Sequence, residues 1–140
     1  MIPPTYKPKK KFMQLAIAEA KRARDRGDYP IGAVVTRVIG KREVVIASAG
    51  NRVKTSGSSI KHVELETLKY VSSGYGRYLP DFVLYSTHEP CAMCAGACVW
   101  YKNRSGGIWR FPGRHHRLRQ EARYRGIQMA RLSHFMQIRP

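Results

Sequence analysis

The chain has 140 residues, 43% of them hydrophobic and 25% charged, which are ordinary values for a soluble globular protein and leave room for one compact domain but little for a second. No apolar run approaches the roughly 20 residues of a bilayer-spanning helix, which argues against an integral membrane protein, and the Pro- and Lys-rich residues 1–11 lack the apolar core and cleavage site of a signal peptide. The formal net charge is +17 and unevenly spread, since residues 104–140 hold nine Arg, no Lys and one acid, Glu121.

Residues 1–11 read as a basic, flexible arm carrying Lys7, Lys9, Lys10 and Lys11. Residues 11–26 predict an amphipathic helix, with Phe12, Leu15, Ala16, Ala20 and Ala23 at helical spacing, and Gly27 ends it. Residues 31–39 and 43–49 are apolar, β-branched runs joined by a Gly40-Lys41 turn, the pattern of a β-hairpin. Residues 51–59 are polar and loop-like, and Ser58 or Ser59 is a candidate cap for a helix over about 61–73. A turn over 74–80 leads into the short apolar strand 82–86, and Pro90 stands at the start of a helix over about 91–101. Residues 106–111 read as a last strand. The order α, β, β, α, β, α, β points to an α/β fold, a sheet with helices packed on it.

The chemistry lies in His62-Val63-Glu64 and Pro90-Cys91-Ala92-Met93-Cys94. Cys91, Cys94 and Cys98 fall within eight residues, a crowding that argues for a metal site in a reducing compartment rather than a secreted disulfide framework. One His and two Cys offer Zn²⁺ three ligands, and three protein ligands leave a fourth position for water, as in a catalytic zinc. Both cysteines sit near a predicted helix N-terminus, where the dipole favours thiolates. Glu64, two residues from His62, can lie beside the metal without binding it and move protons there. Cys98 falls within the same helix and is expected to pack in the core. A Cys-x-x-Cys alone is weak, but with H-x-E and a Pro before the first Cys it matches the signature of zinc deaminases acting on nucleobases.

With these residues in place, the sequence resembles the cytidine/deoxycytidylate deaminase superfamily, and within it the branch of tRNA adenosine deaminases, guanine deaminases and nucleoside deaminases. The resemblance runs from about Phe12 to Ile108. Tyr29-Pro30-Ile31-Gly32-Ala33-Val34-Val35 is similar to the branch's first strand, and the run from Thr87 to Ala97 to its second zinc segment. It implies a three-layer α/β/α fold with a mixed central sheet. It further implies His62, Cys91 and Cys94 as ligands of one Zn²⁺ per subunit, Glu64 as the proton shuttle and Asn51 as a contact to base or ribose. His88, in the loop before the cysteines, is a candidate to line the substrate pocket, with an incidental loop histidine as the equal alternative. Val63 departs from the family's usual alanine and implies a narrower pocket mouth. A homodimer is implied as well.

The resemblance stops near Ile108, where the Arg excess and His115-His116 begin. Moving the reading frame by one nucleotide turns Trp109-Arg110 into a glycine codon. It also lets residues 108–117 encode Tyr-Gly-Val-Ser-Arg-Glu-Asp-Ile-Ile-Asp, which resembles what this branch carries there. The expected organisation is thus an arm over 1–11, a deaminase domain over 12–111, and an Arg-rich segment over 112–140. That segment is either a frameshift product or an electrostatic footprint for nucleic acid.

The expected function is zinc-dependent hydrolytic deamination of an amino-bearing nucleobase, releasing ammonia, in the cytoplasm. The substrate is adenosine in tRNA or a free purine or nucleoside; the basic balance of residues 1–103 leans to the first and bulky Cys98-Val99-Trp100 to the second. The alternative is a non-catalytic zinc-containing RNA-binding module, which has no use for an unliganded carboxylate such as Glu64.

Overall fold

The computed structural model describes residues 6–101 and 109–110. The first helix, α1 (Lys10–Asp25), buries Phe12, Ala16, Ala20 and Ala23 along one stripe, as the spacing predicts. Gly27 takes a φ of +84°, a conformation open to glycine, and the chain then turns into the sheet. Strands β1 (Gly32–Ile39) and β2 (Arg42–Gly50) pair as an antiparallel hairpin with Ile39 opposite Arg42. The stretch expected to be a loop contains a one-turn helix, α2 (Val53–Ser56). Helix α3 (Val63–Tyr75), strand β3 (Phe82–Ser86), helix α4 (Ala92–Tyr101) and a two-residue strand β4 (Trp109–Arg110) follow.

The sheet order is β2-β1-β3-β4. β1 runs antiparallel to both β2 and β3, and β3 runs parallel to β4, so the sheet is mixed. β1 and β3 are central and buried on both faces, which explains their nearly continuous apolar sequence. Their side chains alternate between two cores. Ala33, Val35, Phe82 and Leu84 face Val63, Leu68 and Val71 of α3 and Cys98 of α4. Val34, Val83 and Tyr85 face Phe12 and Ala16 of α1. The result is the expected three-layer α/β/α arrangement, and Cys98 packs in the core as foreseen. Each fully buried Val, Leu or Phe contributes about 1.5–3 kcal/mol.

One close approach fixes how α1 lies. Gly32 and Gly50 are cross-strand partners, and a Cβ on Gly32 would run into the backbone of α1 at Ala16 and Ala20. A Cβ on Gly50 would meet the Glu19 carbonyl at 2.8 Å. The two bare positions and the alanines of α1 let helix and sheet touch backbone to backbone.

Two expectations need correction. The arm over 1–11 is anchored from Tyr6 onward, and α1 begins at Lys10. Tyr6 Oη donates to Glu43 Oε1 at 2.8 Å and lies 2.6 Å from Tyr85 Oη, while Lys9 Nζ is 3.4 Å from Glu43 Oε2. Thr36 Oγ1 and Tyr85 Oη also donate to Glu43 Oε1. A buried carboxylate needs such donors, and the segment before α1 supplies two of them. Nor does Ser58 or Ser59 cap α3: His62 takes the cap position with no side-chain hydrogen bond, and the acids Glu64 and Glu66 complement the dipole in the first turn instead. The expectations for residues 102–108 and 111–140, the reading-frame question included, lie outside the described residues.

Candidate functional site

Antiparallel pairing brings the start of β1 and the ends of β2 and β3 to one edge of the sheet. Gly32 opposes Gly50, and Ala33 opposes Ser86. Thr87 Oγ1 accepts from the Gly32 N–H and the Thr87 N–H donates to the Gly32 carbonyl, each at 3.0 Å. The N-termini of α3 and α4 arrive at this same edge, so two positive dipole ends converge where anionic ligands are wanted.

His62, at the cap of α3, and Cys91 and Cys94, at the start of α4, form a tight group whose donor atoms all lie within 4.8 Å of one another. His62 Nδ1 is 3.6 Å from Cys91 Sγ and 3.5 Å from Cys94 Sγ, and the two sulfurs are 3.6 Å apart. Bond lengths of about 2.3 Å to sulfur and 2.0–2.1 Å to nitrogen around a tetrahedral zinc require separations of about 3.8 Å between sulfurs and about 3.6 Å between sulfur and nitrogen. The group fits Zn²⁺ without rearrangement. Cys91 is exposed, whereas Cys94 is fully buried. Burial pushes the Cys94 thiol well above its usual range, and the Glu64 carboxylate and Cys91 push it further. A bound cation reverses that balance by favouring the thiolate. Among the described residues the group has three cysteine or histidine donors rather than the four of a closed structural zinc.

Glu64 stands beside the group rather than in it. It is 3% exposed, Ser86 Oγ donates to its Oε1 at 3.1 Å, and its Oε2 lies 3.6 Å from Cys94 Sγ. One oxygen is held and the other faces the cluster.

Asn51, just past β2, is 2% exposed. Its N–H donates to the Ile31 carbonyl at 2.8 Å and its Nδ2 to Asp28 Oδ1 at 3.0 Å. It therefore occupies the same sheet edge as the cluster. His88 is exposed in the loop between β3 and α4, its main-chain N–H donating to Ser86 Oγ at 3.4 Å. Val63 is 1% exposed within the core against α3's neighbours, which corrects its placement at a pocket mouth: its position on α3 turns it toward the sheet. Sequence reasoning missed Ser86, Thr87 and Asp28. Ser86 and Thr87 follow the apolar run of β3 as the first polar residues at its end, which is the signal that marks a sheet edge. Asp28 carries no such mark.

Residues 6–105 match the family described as the cytidine and deoxycytidylate deaminase zinc-binding region. The chain is similar to a tRNA-specific adenosine deaminase of Agrobacterium fabrum, 41% identical over 94 residues that span 66% of this chain and 59% of that protein. It is also similar to the tRNA-specific adenosine deaminase of Bacillus subtilis, 42% identical over 89 residues, 63% of this chain and 53% of that one. The chain thus spans little more than half the length of these curated relatives. Among solved structures it resembles guanine deaminase from Bacillus subtilis at a TM-score of 0.64 and 29% identity, over 78% of this chain and 66% of that one. The donor geometry and the zinc-binding family description agree on Zn²⁺ as the cofactor. A match over well over half its length, on a fold with the same architecture, makes this chain a member of the cytidine and deoxycytidylate deaminase family.

Proposed function

We propose that this chain is a zinc-dependent hydrolytic deaminase of an amino-bearing nucleobase. The observation that carries the reading is Glu64, a buried carboxylate fixed by Ser86 at the edge of a three-ligand metal group to which it does not belong. A structural zinc needs no such neighbour. In this reading His62, Cys91 and Cys94 hold the ion, and the zinc, when bound, acidifies a water toward about pH 7. Glu64 accepts the proton of the attacking water on Oε2 while Oε1 stays bonded to Ser86. It delivers that proton to the ring nitrogen next to the amine-bearing carbon. It then takes the second proton from the newly added hydroxyl and passes it to the amine, so that the C–N bond breaks, ammonia leaves and the oxygen remains as the carbonyl. Asn51 holds the base or its ribose, and His88 is placed to border the opening from the β3–α4 loop.

Adenosine within tRNA is the substrate this surface supports best. The segment from Asn51 to His62 carries Arg52, Lys54 and Lys61, all exposed, and Arg26 Nη2 reaches the Asn51 carbonyl at 3.3 Å. The acid beside them, Asp28, is buried. Exposed cations on the segment that joins Asn51 to His62 suit a phosphate backbone, and the named relatives act on tRNA. The family match supports a deaminase domain over 12–111. The segment over 112–140 remains part of the proposal as a frameshift product, which the nucleotide sequence tests: an early stop in the shifted frame ends that idea. A homodimer belongs to the same reading, and Tyr70 on α3, 67% exposed, is an aromatic available to such a contact. Among the described residues no helix is long and apolar enough to cross a membrane.

The test is a deamination panel on zinc-loaded protein: a tRNA anticodon stem-loop, adenosine, guanine, cytosine and cytidine, read by product mass, with Glu64→Gln as control. Turnover of the stem-loop that is lost in the control is the expected result. Turnover of guanine alone replaces the substrate. Silence from folded, zinc-loaded protein overturns the enzyme and leaves a zinc-containing RNA-binding module.

A further inference from the structure

Asp28 lies in the turn between α1 and β1, outside the metal group, and is 5% exposed. Its carboxylate accepts four hydrogen bonds. Oδ1 takes one from Asn51 Nδ2 at 3.0 Å and one from the Tyr29 N–H at 2.8 Å. Oδ2 takes one from the Thr55 N–H at 2.9 Å and one from Thr55 Oγ1 at 2.8 Å. Burial pushes its carboxyl up, but these bonds outweigh burial and hold it well below the usual carboxylate range. Asp28 is therefore charged wherever the protein is folded and neutral pH prevails.

A carboxylate only accepts hydrogen bonds. Nδ2 of Asn51 must face Asp28, and Oδ1 must face the other way. The terminal amide torsion is broad and roughly two-fold, so without Asp28 the two ends of the amide exchange easily. Among the described residues Asn51 Oδ1 accepts no hydrogen bond, so the lock leaves an acceptor to spare. The same carboxylate ties down α2 through Thr55, and α2 carries the chain from Asn51 toward His62. One buried charge thus sets both the rotamer at the substrate side of the site and the path of the loop that carries Lys54, whose Nζ lies 4.4 Å from the Tyr29 ring centre.

We propose that Asp28 is a positioning residue for substrate recognition: it locks the Asn51 side-chain amide so that Oδ1 is the acceptor offered to an N–H or O–H of the bound nucleoside or base. This rests on the reading of Asn51 as a substrate contact. Asp28 touches neither the metal group nor Glu64, so its loss moves substrate affinity and leaves zinc binding and the proton transfer in place.

The test compares Asp28→Asn, Asp28→Glu, Thr55→Val and Asn51→Ala on the substrate found in the panel above, starting with the tRNA anticodon stem-loop, with zinc content and circular dichroism measured on each. Asp28→Asn is expected to raise KM about tenfold with kcat and zinc stoichiometry near wild type, because its own amide offers Asn51 a choice of partner. Asp28→Glu, which keeps the acceptor, recovers part of the loss, and Thr55→Val, which spares the Asn51 bond, leaves KM within about twofold. A second measurement needs no folded variant at position 28. In ¹⁵N-labelled wild-type protein the Asn51 Nδ2 protons, assigned by their disappearance in Asn51→Ala, should exchange with solvent far more slowly than those of a free asparagine. Impairment in Asn51→Ala without impairment in Asp28→Asn, or fast exchange of those protons, overturns the positioning role alone. Wild-type behaviour of Asn51→Ala overturns the substrate contact itself and the proposal with it.

Discussion

Ser86 Oγ donates to Glu64 Oε1 over 3.1 Å, joining the last residue of β3 to the first turn of α3. The bond fixes one oxygen of a buried acid and leaves the other facing the metal group. A hydrogen bond to a charged group is worth about 1.5–3 kcal/mol. Ser86→Ala should therefore lower kcat about tenfold or more while zinc content and KM stay close to wild type. Steady-state kinetics with metal analysis decides it, and an unchanged kcat removes Ser86 from the account.

The three sulfurs should behave differently. Cys91→Ser and Cys94→Ser should each lose zinc and turnover together, since both belong to the proposed ligand group. Cys98→Ser should keep full zinc stoichiometry and cost about 1–3 kcal/mol of stability by placing a hydroxyl in the core. Removing the metal with a chelator should lower the thermal midpoint, and added Zn²⁺ should restore it. Zinc loss in Cys98→Ser would mean that the ligand set is misassigned.

Gly32→Ala tests the helix–sheet contact. The new methyl would meet the backbone of α1 at Ala16 and Ala20, and backbone cannot rotate aside as a side chain does. Overpacking of this kind typically costs about 1–3 kcal/mol, and here the upper end is expected. Urea unfolding measures it, with Gly74→Ala as a control at a position where a Cβ meets nothing.

Alkaline pH should weaken the fold through the tyrosine pair. Burial raises the Tyr85 hydroxyl to about 12, and burial with the Tyr85 hydrogen bond and Glu43 carries Tyr6 higher still. An unfolded tyrosine ionises near pH 10. The folded values are raised, so this stability is fully present below pH about 10 and is lost as pH climbs from there toward 12. Unfolding curves across that window should show the fall, and Tyr85→Phe should flatten its slope while lowering the plateau. An equal slope in Tyr85→Phe would exclude this residue as the source.

What was legible in the sequence follows from how local each cause is. The strand over 82–86 was read residue for residue because it is buried on both faces and closed by Ser86 and Thr87. The grouping of His62, Cys91 and Cys94 was legible because Cys-x-x-Cys spacing sets two donors one helix turn apart and His-x-Glu sets a donor and an acid on another turn. The start of α3 was not: His62 holds the cap position without a side-chain hydrogen bond, and the acids of the first turn stand in for the serines that capping chemistry alone would choose. Asp28 was invisible because a lone acid in a turn looks the same whether it is solvated or accepts four hydrogen bonds. The anchoring of Tyr6 was invisible because its partners, Glu43 and Tyr85, lie 37 and 79 residues away, beyond any periodic pattern.

That last separation has a consequence for how the molecule comes into being. The hairpin of β1 and β2 needs only neighbouring residues and can close early, but the carboxylate of Glu43 is then still in water, waiting for Tyr85. At about 5–20 residues per second of synthesis, the 79-residue separation of Tyr6 and Tyr85 means that Tyr85 is made roughly 4–16 s after Tyr6. The segment before α1 thus completes its anchorage late, as a buckle closes: Glu43 is made first, and only when β3 is seated does Tyr85 join it beside Tyr6.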